Sequence, residues 1–264
     1  MGKGSDIDKI LDRYYTSLGK ERRELDKDLF ETVEEVFDRA TVLAVLHLMK
    51  KGVIRDLKGT VSAGKEARVY WGKGRKGEDL AVKIYLTSAA EFRKGIIKYI
   101  RGDPRFEGAL PKSFRKLMIL WARKEFKNYV LMHRAGASVP EPIAHHENVL
   151  VMEFIGEEGV RAPLLKEVRL DYGEYEEIFW RLIEDVKRIY RDAGLVHGDL
   201  SEFNVMVWEG KHYIIDVSQA VKVAHPNALD YLRRDLYNLW RFFSKEVGLD
   251  IPTPEELFRT VTEG

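Results

Sequence analysis

Two aspartates and an asparagine lie close together around one predicted β-hairpin. Asn204 follows Asp199 by five residues, and Asp216 follows Asn204 by twelve. The predicted turn 209–211 is centred on Gly210, six residues from both Asn204 and Asp216, so these two should face each other. Amide and carboxylate oxygens suit a hard cation such as Mg²⁺, and a free aspartate nearby can orient a hydroxyl proton. The pattern therefore predicts a phosphoryl-transfer site.

A glycine-containing loop further upstream could hold phosphate groups. Ser62, Gly64 and Lys65 lie between two predicted strands, and Gly64 lets the backbone approach a ligand closely. Backbone N–H groups of this loop, the Ser62 hydroxyl and the Lys65 amine can meet phosphate oxygens. The loop is not a Walker-type P-loop, because Glu66 replaces the metal-binding hydroxyl residue and a strand follows instead of a helix.

Lys83 lies in a predicted strand, 79–86, where Val82 and Ile84 face the opposite side. Such a lysine is either a phosphate clamp or a solvated lysine on an edge strand, and the acidic and amide residues downstream favour the clamp. A clamp lysine needs a carboxylate partner. Glu125 is one of few acids in the basic helical region that follows, although it could also be a surface partner of a residue one helical turn away.

Two further residues could support the loop that carries Asp199. His197 is predicted to orient the loop by hydrogen bonds rather than to act as a base, since Asp199 already fills that role. Asp235, in a predicted helix, either anchors the loop or is an ordinary acid on the helix surface.

The composition describes an ordinary globular protein of 264 residues with a net charge of +1 and no cysteine. We find no secretory signal and no apolar run that could span a bilayer, so we expect a cytoplasmic protein without membrane contact. Segment 93–127 is the exception in charge: it contains eleven Lys or Arg and three acids, a net charge of +8. This segment either contacts RNA or presents a solvated helix face.

The hydrophobic pattern predicts an α+β protein in three parts. Residues 1–50 form a charged helical extension, residues 51–155 contain short strands with glycine turns, and residues 156–264 are mostly helical.

The spacing of Asp199 and Asn204 matches the catalytic loop of protein kinases, but Gly198 stands where arginine is usual. Asp216-Val-Ser218 stands where Asp-Phe-Gly is expected, and no Ala-Pro-Glu motif follows. This combination resembles the RIO family of atypical protein kinases, and its type-1 branch in particular. The resemblance covers roughly residues 50–245 and is carried by the runs 62–67, 121–126, 197–204, 215–219 and 225–235.

The resemblance implies a bilobal protein-kinase-like fold with an antiparallel-sheet N-lobe and a helical C-lobe, without the usual activation and substrate-binding segments. Lys83 would contact the α- and β-phosphates of ATP and pair with Glu125. The backbones of Glu153 and Ile155 would meet the adenine. Metal-binding and catalytic roles would fall to the remaining polar residues: Asn204 and Asp216 for Mg²⁺ or Mn²⁺, and Asp199 for the base.

The resemblance also implies the function. The protein would be an ATP-dependent serine/threonine kinase or ATPase, in which Asp216 can itself take the γ-phosphate. Members of this family act in maturation of the small ribosomal subunit, so a pre-small-subunit particle, with its rRNA and proteins, is an expected partner. A protein serine or threonine is a further expected acceptor.

Two other functions remain open from the sequence. Small-molecule kinases of the aminoglycoside or choline type also place an asparagine after His-Gly-Asp, but they usually continue with Asp-Phe or Asp-Trp, which Asp216-Val-Ser218 does not match. A nucleotide-gated RNA-binding module would use the basic segment without catalysis.

Overall fold

The computed structural model describes residues 37–88, 93–106, 108 and 110–263. Most of the predicted N-terminal extension therefore lies outside the described residues, and its described end forms helix α1 (Arg39–Lys50). Asp38 caps this helix by accepting a hydrogen bond from the Thr41 N–H at 2.8 Å. None of the helices in the described ranges is long and apolar enough to cross a membrane.

The first half of the chain is built on a five-stranded antiparallel sheet in the order β1-β2-β3-β5-β4. β3 pairs with β2 through Val69 opposite Lys83 and with β5 through Leu150 opposite Lys83. Lys83 is therefore on the central strand, and an edge-strand lysine is excluded. The strands are β1 (Asp56–Ala63), β2 (Ala67–Lys73), β3 (Asp79–Tyr85), β4 (Pro142–His146) and β5 (Val149–Glu153).

Alternation along β3 sends its side chains into two different apolar clusters. Val82 and Ile84 pack in a cluster with the residues of α1. Ala81 and Tyr85 join the main core, to which the long helix α3 (Phe114–Arg134) contributes. Lys83 shares the side of Ala81 and Tyr85, so its amine points toward α3.

The basic segment forms two separate helices. α2 (Arg93–Ile100) is followed by a 3₁₀ turn, Pro104–Phe106, and then by α3. The break between α2 and the 3₁₀ turn includes Gly102, which has a φ of 89°.

The second half is helical, as predicted. A capping box between Asp171 and Glu174 begins the first of its helices. The helix that carries Asp235 begins at Ala228, and the seven residues that follow it adopt a π-helical form. The helical elements are α4 (Tyr172–Arg191), α5 (Ala228–Trp240), the π-helical segment Arg241–Val247 and α6 (Pro254–Glu263).

Three short antiparallel strand pairs complete the second half. β6 and β7 directly follow the predicted boundary between residues 155 and 156, and β8, which precedes the loop that carries Asp199, pairs with β11. These strands are β6 (Gly156–Glu157), β7 (Val160–Arg161), β8 (Leu195–Val196), β9 (Val205–Trp208), β10 (Lys211–Ile214) and β11 (Val221–Lys222).

The hairpin of β9 and β10 differs from the prediction by one residue. Its turn has two residues, Glu209 and Gly210, with φ of 49° and 70°, and not three. Asn204 consequently lies opposite Ile215, whose N–H donates to the Asn204 carbonyl at 2.9 Å. Asp216 comes one residue later. The predicted direct pairing of Asn204 with Asp216 is therefore wrong, although the two remain adjacent positions at the open end of one hairpin.

A buried carboxylate fixes this hairpin to α4. Asp185 Oδ2 accepts a hydrogen bond from the Ser138 N–H at 3.0 Å and lies 2.7 Å from His212 Nε2 on β10. We expect Asp185→Ala to lower the free energy of unfolding by about 1–3 kcal/mol, because both groups lose their partner in the core. Denaturant titration measures this change. The matched variant Glu184→Ala, at a half-exposed neighbour, should stay within about 0.5 kcal/mol of wild type.

Candidate active site

The predicted site residues gather around one cavity between the sheet and the helical half. Its volume is about 550 Å³. Asp199 and Asn204 do not line it, although Phe203 between them does, and Glu125 lies behind Lys83 with its side chain fully buried. The predicted residues that line the cavity are Ser62, Gly64, Lys65, Lys83, Glu153, Ile155 and Asp216.

The Lys83 amine bridges two carboxylates. Its Nζ lies 2.8 Å from Glu125 Oε1 and 3.0 Å from Asp216 Oδ1. Burial by itself would lower the pKa of Lys83, but the carboxylates of Asp216 and Glu125 hold it well above its usual value. The ammonium form is thus secured, and the expected contact between Lys83 and Glu125 is present. Tyr85, which the sequence did not single out, donates its hydroxyl to Glu125 Oε2.

Helix α3 also holds the backbone around Asp216. The Lys124 amine donates to the carbonyls of Ser218, at 2.8 Å, and Ala220, and burial lowers the pKa of Lys124 well below its usual range. The Asn128 amide donates to the carbonyls of Val217 at 2.7 Å and Ala220 at 3.2 Å. Residues 124, 125, 128 and 129 lie on one face of α3. We call these four residues the α3 clamp.

Asp216 has a left-handed backbone, with φ of 56° and ψ of 57°. Its N–H donates to the hydroxyl of Tyr129, the last clamp residue, at 3.0 Å. Ser218 Oγ donates to its Oδ1 at 3.2 Å. Lys83 lowers the pKa of Asp216 against the effect of burial, so the side chain is an anion that is 49% exposed toward the cleft.

Asp235 anchors the loop that carries Asp199. Of the two roles that the sequence left open for Asp235, loop anchor and surface acid, the structure shows the first. Its Oδ2 accepts from the Gly198 N–H at 2.7 Å, and its Oδ1 accepts from the Leu200 N–H at 2.9 Å. The side chain is 1% exposed, and burial raises its pKa to about 7. Arg234, the preceding residue of α5, donates to the Gly198 carbonyl.

His197 has the geometry of an orienting residue. Its Nε2 lies 3.1 Å from the Ile215 carbonyl, and its Nδ1 accepts from the Asp199 N–H at 3.3 Å. These two contacts require a proton on Nε2 and none on Nδ1. Burial lowers the pKa of His197 to about 4, which agrees with a neutral ring.

The Asp199 carboxylate is held by a residue that the sequence did not reveal as functional. Gln219 Nε2 donates to Asp199 Oδ2 at 3.0 Å. Burial raises the pKa of Asp199, and Arg234 partly opposes this shift. Asn204 Nδ2 donates to the Asp199 carbonyl at 2.7 Å. The amide nitrogen of Asn204 therefore bonds to the loop, and the amide oxygen of Asn204 points away from that carbonyl.

The oxygen donors of Asn204 and Asp216 suit Mg²⁺ or Mn²⁺. An amide oxygen and an ionised carboxylate are hard ligands, and magnesium sites commonly combine one or two such ligands with waters and substrate phosphates. Across the described part of the chain, no group of three or more His, Cys, Asp or Glu could hold a metal ion by itself. The donor set therefore fits a cation shared with a phosphate-bearing ligand.

The backbone after β5 lines the same cavity and offers polar groups beside apolar side chains. The Ile155 carbonyl accepts from the Ala162 N–H at 2.9 Å, which fixes the backbone of Ile155 at the cavity wall. Ala81 and Met206 line the same cavity. A flat heteroaromatic ring fits these surroundings.

The sequence has relatives among known protein kinases. The model of the RIO domain matches residues 68–256. A serine/threonine-protein kinase RIO1 from Caenorhabditis elegans is 41% identical over 92% of this chain and 48% of its own length. The human RIO1 kinase is 40% identical over 96% and 46%, and a RIO-type kinase Rio1 from Haloferax volcanii is 42% identical over 84% and 74%. The chain thus spans about half the length of the first two relatives.

Solved structures give the same fold. The Rio2 kinase from Chaetomium thermophilum, crystallised as an ADP/Mg²⁺-phosphoaspartate complex, superimposes with a TM-score of 0.66 at 24% identity, covering 84% of this chain and 66% of that one. This likeness establishes the predicted bilobal protein-kinase-like fold. The RIO domain match over residues 68–256 and the sequence relatives show that the chain belongs to the RIO family.

Proposed function

We propose that this protein is an ATP-dependent serine/threonine kinase that uses Mg²⁺ or Mn²⁺. The observation that carries the proposal is the Lys83 amine, held between Glu125 and Asp216 at the wall of the cavity. ATP would lie between the N-lobe, 51–155, and the C-lobe, 156–264. The kinase names of the relatives support the same activity.

Each residue around the cavity has a defined part in this proposal. Lys83 would bind the α- and β-phosphates, while Ser62, Gly64 and Lys65 would meet the phosphates from the sheet side. The adenine would lie against the backbone of Glu153 and the N–H of Ile155. Metal binding would fall to Asn204 and Asp216, and the bound cation would neutralise phosphate charge.

In transfer to a hydroxyl, Asp199 would accept the hydroxyl proton. The acceptor oxygen forms its bond to the γ-phosphorus as the bond between that phosphorus and the bridging oxygen of ADP breaks. Burial raises the pKa of Asp199, which makes its carboxylate a better proton acceptor than an ordinary aspartate.

We also propose a covalent route through Asp216. A carboxylate oxygen of Asp216 would attack the γ-phosphorus and release ADP, and water or an acceptor hydroxyl would then take the phosphoryl group and restore the carboxylate. The ionised, half-exposed side chain of Asp216 supports this role. The phosphoaspartate in the Rio2 kinase structure provides a parallel. Turnover with water as acceptor would make the protein an ATPase.

The proposed setting is maturation of the small ribosomal subunit in the cytoplasm. The support is the family membership and the net charge of +8 in segment 93–127, which would suit contact with rRNA.

Removing either aspartate tests the proposed chemistry. We expect Asp199→Asn to lower kcat for ATP turnover by about 10²–10⁴-fold with little change in nucleotide affinity, because only the proton acceptor is lost. Asp216→Asn should lose both metal-dependent turnover and any hydroxylamine-sensitive phosphate on the protein. Asp192→Asn, an exposed substitution at the end of α4, is the control. Wild-type turnover in both site variants would refute the proposed function.

The α3 clamp makes a separate prediction. Tyr129→Phe removes the hydroxyl that accepts from the Asp216 N–H, which leaves a strained turn without that support. We expect the apparent affinity for Mg²⁺ during turnover to weaken about fivefold, the equivalent of one hydrogen bond of about 1 kcal/mol. A metal titration at saturating ATP measures it. Equal metal affinity with a lower kcat would show that the hydroxyl does not position Asp216.

The pH dependence of turnover tests the environment of Asp199. A hydrogen bond to the ionised carboxylate lowers its pKa, so Gln219→Ala should raise the pKa of Asp199 further. Turnover needs the ionised form. The acid limb of the kcat/KM profile should therefore move to higher pH in Gln219→Ala. An acid limb at the same pH as in wild type would show that Asp199 is not the group that gives rise to it.

A further inference from the structure

The side of the catalytic loop that an acceptor must approach is bordered by helix α2. Only eleven residues, 217–227, separate Asp216 from α5, so this stretch of the chain is too short to form a long segment over this side. A Cβ placed on Gly198 would lie 3.8 Å from ring carbons of both Tyr99, on α2, and Tyr231, on α5. The two rings contact each other with centroids 5.4 Å apart. Helices α2 and α5 therefore meet at the residue before Asp199.

Each of these tyrosines has a cation over its ring. Lys98 Nζ lies 4.6 Å from the centroid of Tyr99, and the Arg234 guanidinium lies 5.2 Å from that of Tyr231. Both cationic residues are exposed. Among the described residues, neither forms an ion pair within 4.0 Å of a carboxylate: Arg234 donates to the Gly198 carbonyl and to the Tyr99 hydroxyl. Their charges are thus available to a ligand.

Both charges also act on the catalytic base. Arg234 donates to the Gly198 carbonyl, and Lys98 lies over the ring of Tyr99 that borders Gly198, so both charges lie beside the residue that precedes Asp199. Both favour the ionised form of Asp199 and so act to lower its pKa. An incoming hydroxyl must approach that carboxylate closely. Whatever flanks the hydroxyl will then lie near the two cations. An acidic flank gains attraction there, whereas a basic flank meets repulsion.

We propose that Lys98 and Arg234 form an acceptor subsite that selects a serine or threonine flanked by acidic residues in a peptide. This inference rests on the proposed function and names its substrate class. The two cations offset the negative charge that Asp199, Asp216 and ATP present to such a peptide. Position matters more than total charge, because an exposed charge acts over only about 10 Å at moderate salt.

Three matched serine peptides test the subsite on the full chain, with glutamate, alanine or lysine on both sides of the serine. Wild type should show kcat/KM in that descending order, with about five- to tenfold between the extremes. Lys98→Glu should reverse the order of the glutamate and lysine peptides. Arg234 is unsuitable for the first test because it also holds the loop. Lys127→Glu makes the same charge change on an exposed face of α3 and should keep the wild-type order.

Binding gives a readout that does not depend on turnover. Peptides with alanine in place of serine, measured by fluorescence anisotropy, should show the same preference in wild type and its reversal in Lys98→Glu. This outcome would support the subsite even if the proposed kinase activity failed. Three results would overturn it: no preference in wild type, an equal shift in Lys127→Glu, or displacement of the acidic peptide by a short single-stranded RNA at equal charge concentration.

Discussion

The ammonium group of Lys83 joins a strand, a helix and a hairpin that are remote in the sequence. One of its partners, Glu125, is fully buried, and the other, Asp216, is half exposed in the cleft. Such bridges contribute little net stability, because the cost of removing charges from water offsets their attraction. The main effect of this bridge is to fix the relative positions of the elements that it joins. Sheet, helix and hairpin must take one mutual arrangement for a single amine to reach both carboxylates.

Helix α3 enforces this arrangement from one face. Glu125 reaches the amine, while Lys124, Asn128 and Tyr129 bind backbone groups between Asp216 and Ala220. Moving α3 away from the cleft would leave several buried polar groups unpaired, at about 1–3 kcal/mol each. The paired geometry is therefore the ground state of this chain.

The sequence predicted the parts whose signal is local. Alternation along β3 correctly sent Lys83 to the side opposite Val82 and Ile84, and the α+β class followed from periodicity. Contacts between side chains and backbone carbonyls have no local sequence pattern. Helical spacing shows that the four residues of the α3 clamp lie on one face of the helix, but it does not show which groups that face contacts. The hairpin register was missed because it depends on Glu209 adopting a positive φ, which its residue type does not indicate.

The left-handed backbone of Asp216 connects stability with function. An L-residue in this region costs about 1–2 kcal/mol, although aspartate tolerates it better than most. The turn nevertheless persists, because Tyr129 accepts its N–H and Ser218 and Lys83 donate to its carboxylate. Each of these contacts also orients the carboxylate. The residues that offset the strain are thus the residues that aim Asp216 into the cleft, so a substitution that relaxes this turn changes the direction of its side chain as well.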